Sequence, residues 1–229
     1  MSQTRSTQGQ TRSRQAALVR ETAHAVRRSV LDALLRAGLA AAGDDAPLRL
    51  APAAGATAPE QLASAQAIDQ NTRHELVASY EQCLRTYRDI ARAQVPNTTD
   101  DDLGAALAFF VAVNLHALHG VDVERDVMAV LERQLRSASR RASNWDAASV
   151  EERQTFFERI AILAILVSGS CATAAAQGPA AVAKVRRAAR HYLQELLGLN
   201  PDLLTLGPSG LVARDRTARA SAGAATQPA

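Results

Sequence analysis

Residues 103–119 read LGAALAFFVAVNLHALH, and the prediction of the fold starts from this stretch. Large apolar side chains fall on nearly every side of a helix wound from it, among them Leu107, Phe110 and Leu115. A helix that is apolar all round is typical of the centre of a helical protein. Gly120 follows directly and is expected to end the helix. The stretch therefore predicts a central helix around which other helices pack.

Four further segments carry apolar residues at the three-and-four spacing of a helix face. They run from Asp69 to the helix-stopping Pro96, from about residue 122 to 142, from the Ser149 and Glu152 capping box to Gly178, and from Pro179 to Leu197. Strand signals are nearly absent, because no alternating apolar run persists between turn residues. The sequence predicts an all-α fold, a single helical bundle of about five core helices, with an irregular segment from Leu206 to Val212.

The two ends of the chain differ in composition from this bundle. Residues 14–42 place Leu18, Val26, Val30 and Leu34 at helical spacing with arginines between them, which predicts an additional N-terminal amphipathic helix. The termini themselves are polar and are expected to be disordered. The predicted organisation is a basic N-terminal tail and amphipathic helix at 1–45, an Ala/Pro-rich linker at 46–68, a helical bundle domain at 69–212 and a disordered tail at 213–229.

The basic charge is concentrated at the start of the chain. Residues 1–42 hold seven basic and two acidic residues, a net charge of +5, whereas residues 43–229 hold nineteen basic and twenty-one acidic residues, a net charge of −2. The core domain therefore has no basic excess with which to bind nucleic acid. Residues 14–42 allow weak contact with an anionic membrane surface, binding to a partner, or weak packing on the bundle as a solvated helix. A further alternative is that they are a poorly processed start region upstream of the true domain.

Three further features bear on compartment. Cys83 and Cys171 lie in apolar helical patterns and are expected to be buried thiols, with a bridge between neighbouring helices as the alternative. Ile160–Ala176 is better explained as a buried central helix than as a membrane span, since it includes several small polar residues. Residues 31–42 do not form a standard signal peptide, because charged residues interrupt them.

Four stretches, taken in order, resemble a known family. They are the helix containing Tyr87–Ile90, DDLGAALAFF at 101–110, FFERIAILAIL at 156–166 and YLQELLGLNPDLLTLGPSGL at 192–211. From about Leu50 to Val212 the chain is similar to an uncharacterised bacterial helical family, domain of unknown function 6683. The resemblance implies no activity, cofactor or catalytic residues. It implies a periplasmic or secreted setting, with a cytoplasmic one as the alternative given the interrupted N-terminus.

Two groups of residues are candidates for chemistry. His116, His119 and Asp122 are weak metal-ligand candidates, because residues three apart on a helix share a face and these side chains bind zinc. The second group, residues 168–171, places two serines beside Cys171, but lacks the strand-turn-helix context of a nucleophile elbow. We assign no catalytic residue and no cofactor from the sequence.

These observations favour a noncatalytic role over an enzyme. The sequence-based hypothesis is an interaction or structural protein of the bacterial cell envelope whose partner is a protein, in an oligomeric state that the sequence leaves open. One alternative is a metal-binding protein or metal-dependent enzyme that uses His116 and His119. The other alternative is an anionic-membrane surface binder that acts through the N-terminal helix.

Overall fold

A computed structural model describes residues 47–50, 55–94, 101–140 and 148–214. The predicted N-terminal helix and almost all of the predicted C-terminal tail lie outside these residues. The described helices are α1 (Ala58–Ser64), α2 (Gln70–Gln94), α3 (Leu103–His119), α4 (Arg125–Arg140), α5 (Val150–Gln177) and α6 (Pro179–Leu197). Helices α2 to α6 are the five predicted core helices, so the all-α fold class is confirmed.

Helix α3 is the centre of the bundle, as its all-round apolar sequence predicts. It packs against α4, α5 and α6, and the side chains of Leu107 and Phe110 are fully buried. Helix α2 packs on α5, where the ring of Tyr87 lies 5.7 Å from that of Phe157. Each such large apolar side chain contributes about 1.5–3 kcal/mol when it is fully buried. The core therefore forms mainly from the helices that the apolar spacing identifies.

The predicted helix ends are also observed. Gly120 and Gly198 adopt left-handed backbone conformations, with φ of 69° and 64°, and end α3 and α6. Ser149 and Glu152 form a reciprocal capping box at the start of α5. Gly178 separates α5 from α6 with Pro179 in the first turn of the new helix. These local signals place the turns that bring the helices together.

Part of the predicted linker packs on the bundle through a buried carboxylate. Helix α1 lies within residues 46–68, and its Ala58 and Ala63 are fully buried. Glu158 of α5 is also fully buried, and its Oε2 accepts hydrogen bonds from the backbone N–H groups of Thr57 and Ala58, each at 2.9 Å. The other carboxylate oxygen, Glu158 Oε1, accepts a hydrogen bond from Gln154 Nε2 at 2.9 Å. The negative charge lies at the N-terminus of α1, where the helix dipole favours it.

A second buried carboxylate joins the preceding segment to α3 and α4. Asp102 caps α3, and its Oδ1 accepts from the backbone N–H groups of Gly104 at 2.9 Å and Leu48 at 3.2 Å. Its Oδ2 pairs with Arg136, whose side chain is 9% exposed. Arg136 therefore points into the bundle, where the buried Asp102 provides its counter-charge. Gly104 makes room for this arginine, since a Cβ there would lie 2.9 Å from Arg136 Cβ.

The C-terminal segment is a β-hairpin rather than irregular. Strands β1 (Leu204–Gly207) and β2 (Gly210–Ala213) pair in antiparallel register, with Leu206 opposite Leu211. Gln134 of α4 holds the hairpin through its amide, which donates to Leu211 O at 2.8 Å and accepts from Leu211 N at 2.9 Å. The prediction missed this hairpin because each strand has four residues, too few for an alternating pattern.

Candidate functional site

An open groove of about 440 Å³ lies where the end of α3, the start of α4 and the second half of α5 meet. This volume is within the range of small-ligand pockets, about 300–1,000 Å³. Most of the lining side chains are apolar, and His116, Asp122 and Ser168 provide polar atoms. The full lining is Phe109, Ala112, Val113, His116, Asp122, Val123, Met128, Ser168, Cys171 and Ala172.

The turn that ends α3 brings His116 and Asp122 together at the groove. Gly120 N–H donates to His116 O at 2.7 Å, and its left-handed conformation reverses the chain. His116 Nδ1 then lies 2.9 Å from Asp122 Oδ1, with 43% and 93% of the two side chains exposed. A pair this exposed stabilises the fold little. The two atoms are close without being aligned for a hydrogen bond, so His116 Nδ1 has no hydrogen-bond partner among the described residues.

The third predicted metal ligand, His119, has different neighbours. Partial burial lowers the pKa of His119, and the positive charges of Arg214 and Arg190 lower it further. Asp202, which accepts a 2.5 Å hydrogen bond from Arg190, raises that pKa. Nearby cations disfavour a bound metal ion. Within the described ranges, no three His, Cys, Asp or Glu side chains are grouped so as to hold a metal ion.

The second sequence candidate meets the first in this groove. Ser168 and Cys171 line it from α5, together with His116 of α3 and Asp122 of the α3–α4 turn. Burial raises the pKa of the Cys171 thiol. A raised pKa keeps the sulfur protonated and makes it a weak nucleophile at neutral pH. The arrangement therefore has the residue types of a nucleophilic site without an activated thiolate. Cys83 and Cys171 are both free thiols, so the bridge between them is absent.

The groove is bordered by the exposed second half of α5. At about 1.5 Å per residue, the 28-residue α5 is about 16 Å longer than the 17-residue α3. Residues 156–164 pack in the core, whereas Ser168, Gly169 and Ser170 are exposed, and a Cβ at Gly169 would meet nothing within 4 Å. The expectation that Ile160–Ala176 is a buried central helix is therefore confirmed for residues 160–164 in the core and wrong for residues 168–170.

The exposed second half of α5 carries no charged side chain. The sequence from Ile160 to Ala183, which includes the α5–α6 turn, contains no Asp, Glu, Lys or Arg. By length and composition α5 is apolar enough to cross a membrane. An 18-residue stretch of it has a mean hydropathy of 1.8, and 33% of that stretch is buried inside the structure. The core helices of soluble proteins can have the same length and apolar composition. The described surface beside the groove is thus an uncharged, Ala-rich helix wall.

An acidic border begins at Asp122, which lines the groove and is followed along the chain by two further acidic residues. Residues 122–126 read DVERD, with three acidic residues and one arginine, a net charge of −2. Asp122, Glu124 and Asp126 are all exposed. Apolar walls favour an apolar occupant and the acidic border favours a positively charged neighbour. The groove is thus suited to an apolar surface flanked by basic residues.

Fold and site together define a predominantly helical protein with a small C-terminal hairpin and an open apolar groove. The chain belongs to the Family of unknown function (DUF6683), whose model matches residues 1–214. The resemblance seen in the sequence is thereby confirmed, and the match also takes in the basic segment that precedes the bundle. No match to the chain is found among the curated proteins or among the solved structures.

Proposed function

We propose that this protein is a noncatalytic interaction protein that binds an amphipathic, basic helix of a partner protein in the groove beside His116. The observation that carries the proposal is the groove itself, with apolar walls from three helical segments and an acidic border at residues 122–126. Amphipathic helices bind in such grooves by placing apolar side chains at positions i, i+3, i+4 and i+7.

The chemistry of the groove supports binding over catalysis. Cys171 is the strongest nucleophile that lines it, and burial raises the pKa of its thiol. Catalytic cysteines have the opposite shift, because a neighbouring cation or helix N-terminus stabilises the thiolate. The apolar lining instead offers an area whose burial drives association. We place this role in the bacterial cell envelope on the strength of the family resemblance, and cell fractionation tests that placement.

Photo-cross-linking in the native cell tests the proposal. A photoreactive amino acid replaces Ala172, which is exposed and lines the groove, in the full-length protein. The matched control replaces Ala78, an exposed alanine of α2 that does not line the groove. We expect a discrete adduct from position 172 that is absent from position 78, with a basic amphipathic helix at the cross-linked site. The absence of any adduct from position 172 would refute groove binding.

A second candidate function is metal binding, and the 2.9 Å approach of Asp122 to His116 Nδ1 favours it. Imidazole and carboxylate groups are both zinc ligands, and these two are close enough to bind one ion. His119 contributes less in this proposal because of its cationic neighbours. Elemental analysis of the purified native protein tests it: stoichiometric zinc that is lost in His116→Gln supports a site, and metal-free protein excludes one.

A further inference from the structure

We propose that residues 14–42 of this same chain occupy the groove as a ligand in cis, which a partner helix must displace. This inference rests on the proposed function, since it identifies a competitor for the same groove. It makes the N-terminal segment a regulatory element of the bundle. Three observations support it: the chemistry of the two surfaces, the position at which the chain enters the bundle, and the extent of the family match.

The first observation is complementarity. Residues 14–42 contain five arginines and two acidic residues, a net charge of +3, against −2 for residues 122–126 at the groove border. Val26 and Val30 are four positions apart and share one face of the predicted helix. Arg28 and Asp32 lie about 200° around a helix from that face. The segment therefore offers what the groove selects, an apolar stripe flanked by basic residues.

The second observation is where the chain enters the bundle. Leu48 O accepts a hydrogen bond from Leu103 N at 3.2 Å, which anchors the chain at the first turn of α3. Groove residues Phe109 to His116 begin six positions along α3, about 9–20 Å away at 1.5 Å per residue. The four residues between Gly43 and Leu48 span up to about 14 Å when extended. The end of the predicted helix is thus within reach of the groove.

The third observation concerns the family. Its model matches residues 1–214, so the N-terminal segment belongs to the same matched unit as the bundle. The overhanging second half of α5 adds an exposed, uncharged helix wall along which a second helix can lie. Small residues on such a wall permit close approach of two helices. A helix of this chain that docks there would cover the apolar surface that the described residues leave exposed.

The two native cysteines provide the test. Cys171 lines the groove, whereas Cys83 is buried in the core with 8% exposure. The full chain is treated with N-ethylmaleimide at neutral pH, and alkylation of each cysteine is followed by peptide mass spectrometry. The native chain is compared with Val26→Gln/Val30→Gln, which removes the apolar stripe. The control is Arg28→Gln/Asp32→Gln, which alters the opposite side of the predicted helix without a change in net charge.

We expect Cys171 to react about tenfold faster in the stripe variant than in the native chain, as for a groove covered about nine-tenths of the time. The control should react at the native rate, and Cys83 should stay slow in all three chains. Faster alkylation of Cys83 would report opening of the bundle. In that case Val30→Gln alone is the variant to use, and Cys171 should again react faster than in the native chain. Equal Cys171 rates in all chains would overturn cis docking.

Two further outcomes separate other occupants from the cis segment. Protection of Cys171 that disappears on dilution would overturn the proposal in favour of a second copy of the chain. Protection that requires added phosphatidylglycerol vesicles would overturn it in favour of a membrane surface. Protection that is independent of concentration and of vesicles supports it. None of these results decides the proposed function, because an adduct from position 172 to a partner adds the mass of that protein, whereas an adduct to residues 14–42 leaves the mass of the chain unchanged.

Discussion

Removal of the Asp102 carboxylate should destabilise the bundle more than any surface substitution. Asp102→Ala leaves Arg136, whose side chain is 9% exposed, without its buried counter-ion. It also removes the acceptor for the N–H groups of Gly104 and Leu48. Loss of one partner from a buried ion pair costs about 3–5 kcal/mol. Glu132 lies 3.9 Å from Arg136 and takes over part of the charge interaction, which favours the lower half of that range.

A double-mutant cycle separates the ion pair from the two backbone hydrogen bonds. Asp102→Asn keeps an oxygen that can accept from both N–H groups, so it should cost about 1–2 kcal/mol less than Asp102→Ala. Asp102→Ala combined with Arg136→Met should cost less than the sum of the two single changes, with a coupling of about 2 kcal/mol. The second change replaces a buried cation that has lost its partner with an apolar side chain of similar length.

Urea denaturation followed by the helical circular-dichroism signal measures these free energies of unfolding. The slope with denaturant should stay constant across the native protein and the four variants, since none of the substitutions changes the surface exposed on unfolding. Strict additivity of the two single changes would contradict the reasoning. So would a loss of less than about 1 kcal/mol for Asp102→Ala, the value typical of a solvent-exposed pair.

Three further predictions concern other parts of the structure. Glu158→Gln should lower the free energy of unfolding by about 1–3 kcal/mol and speed hydrogen exchange in α1, because it weakens the acceptor at the start of that helix; unchanged exchange there would refute the role. Gly104→Ala should destabilise by about 1–3 kcal/mol, since its Cβ would lie 2.9 Å from Arg136 Cβ. Gly169→Ala, where a Cβ meets nothing within 4 Å, should stabilise the protein by about 0.5–1 kcal/mol. Thermal melts in which Gly104→Ala and Gly169→Ala shift the melting temperature in the same direction would contradict these two predictions. As the pH falls from 7 through about 6.5, the native protein should lose stability more steeply than His119→Gln. The pKa of His119 is lowered in the folded state, so the unfolded chain takes up the proton first. Parallel profiles of the unfolding free energy against pH would contradict this.

The bundle is predictable from the sequence because its signals are local. Apolar spacing, the capping box at Ser149 and the glycines at the ends of α3 and α6 each depend on a few neighbouring residues. The buried ion pair is not local. Three consecutive aspartates precede α3, and nothing in their order shows that the last one turns inward. Its partner Arg136 lies 34 positions further along the chain, so the pairing depends on how α4 packs.

The candidate site shows the same division between local and tertiary signals. The approach of Asp122 to His116 follows from a helix end and a short reversal, and the sequence suggests it. The meeting of that pair with Ser168 and Cys171 depends on the packing of α3 against α5, more than 45 residues away in sequence. The exposure of residues 168–170 depends on the difference in length between those two helices. Apolar spacing alone cannot reveal a helix that extends beyond its neighbours.

Binding of a peptide of residues 14–42 tests most sharply the claim that the groove is a receptor for this basic segment of the chain. The receptor is the full chain with Val26→Gln/Val30→Gln, and fluorescence anisotropy follows the labelled peptide. Saturable binding is expected, together with its loss when Ala172→Arg is added to the receptor but not when Ala78→Arg is added. Absence of saturable binding, or equal binding to the Ala172→Arg receptor, would contradict the claim.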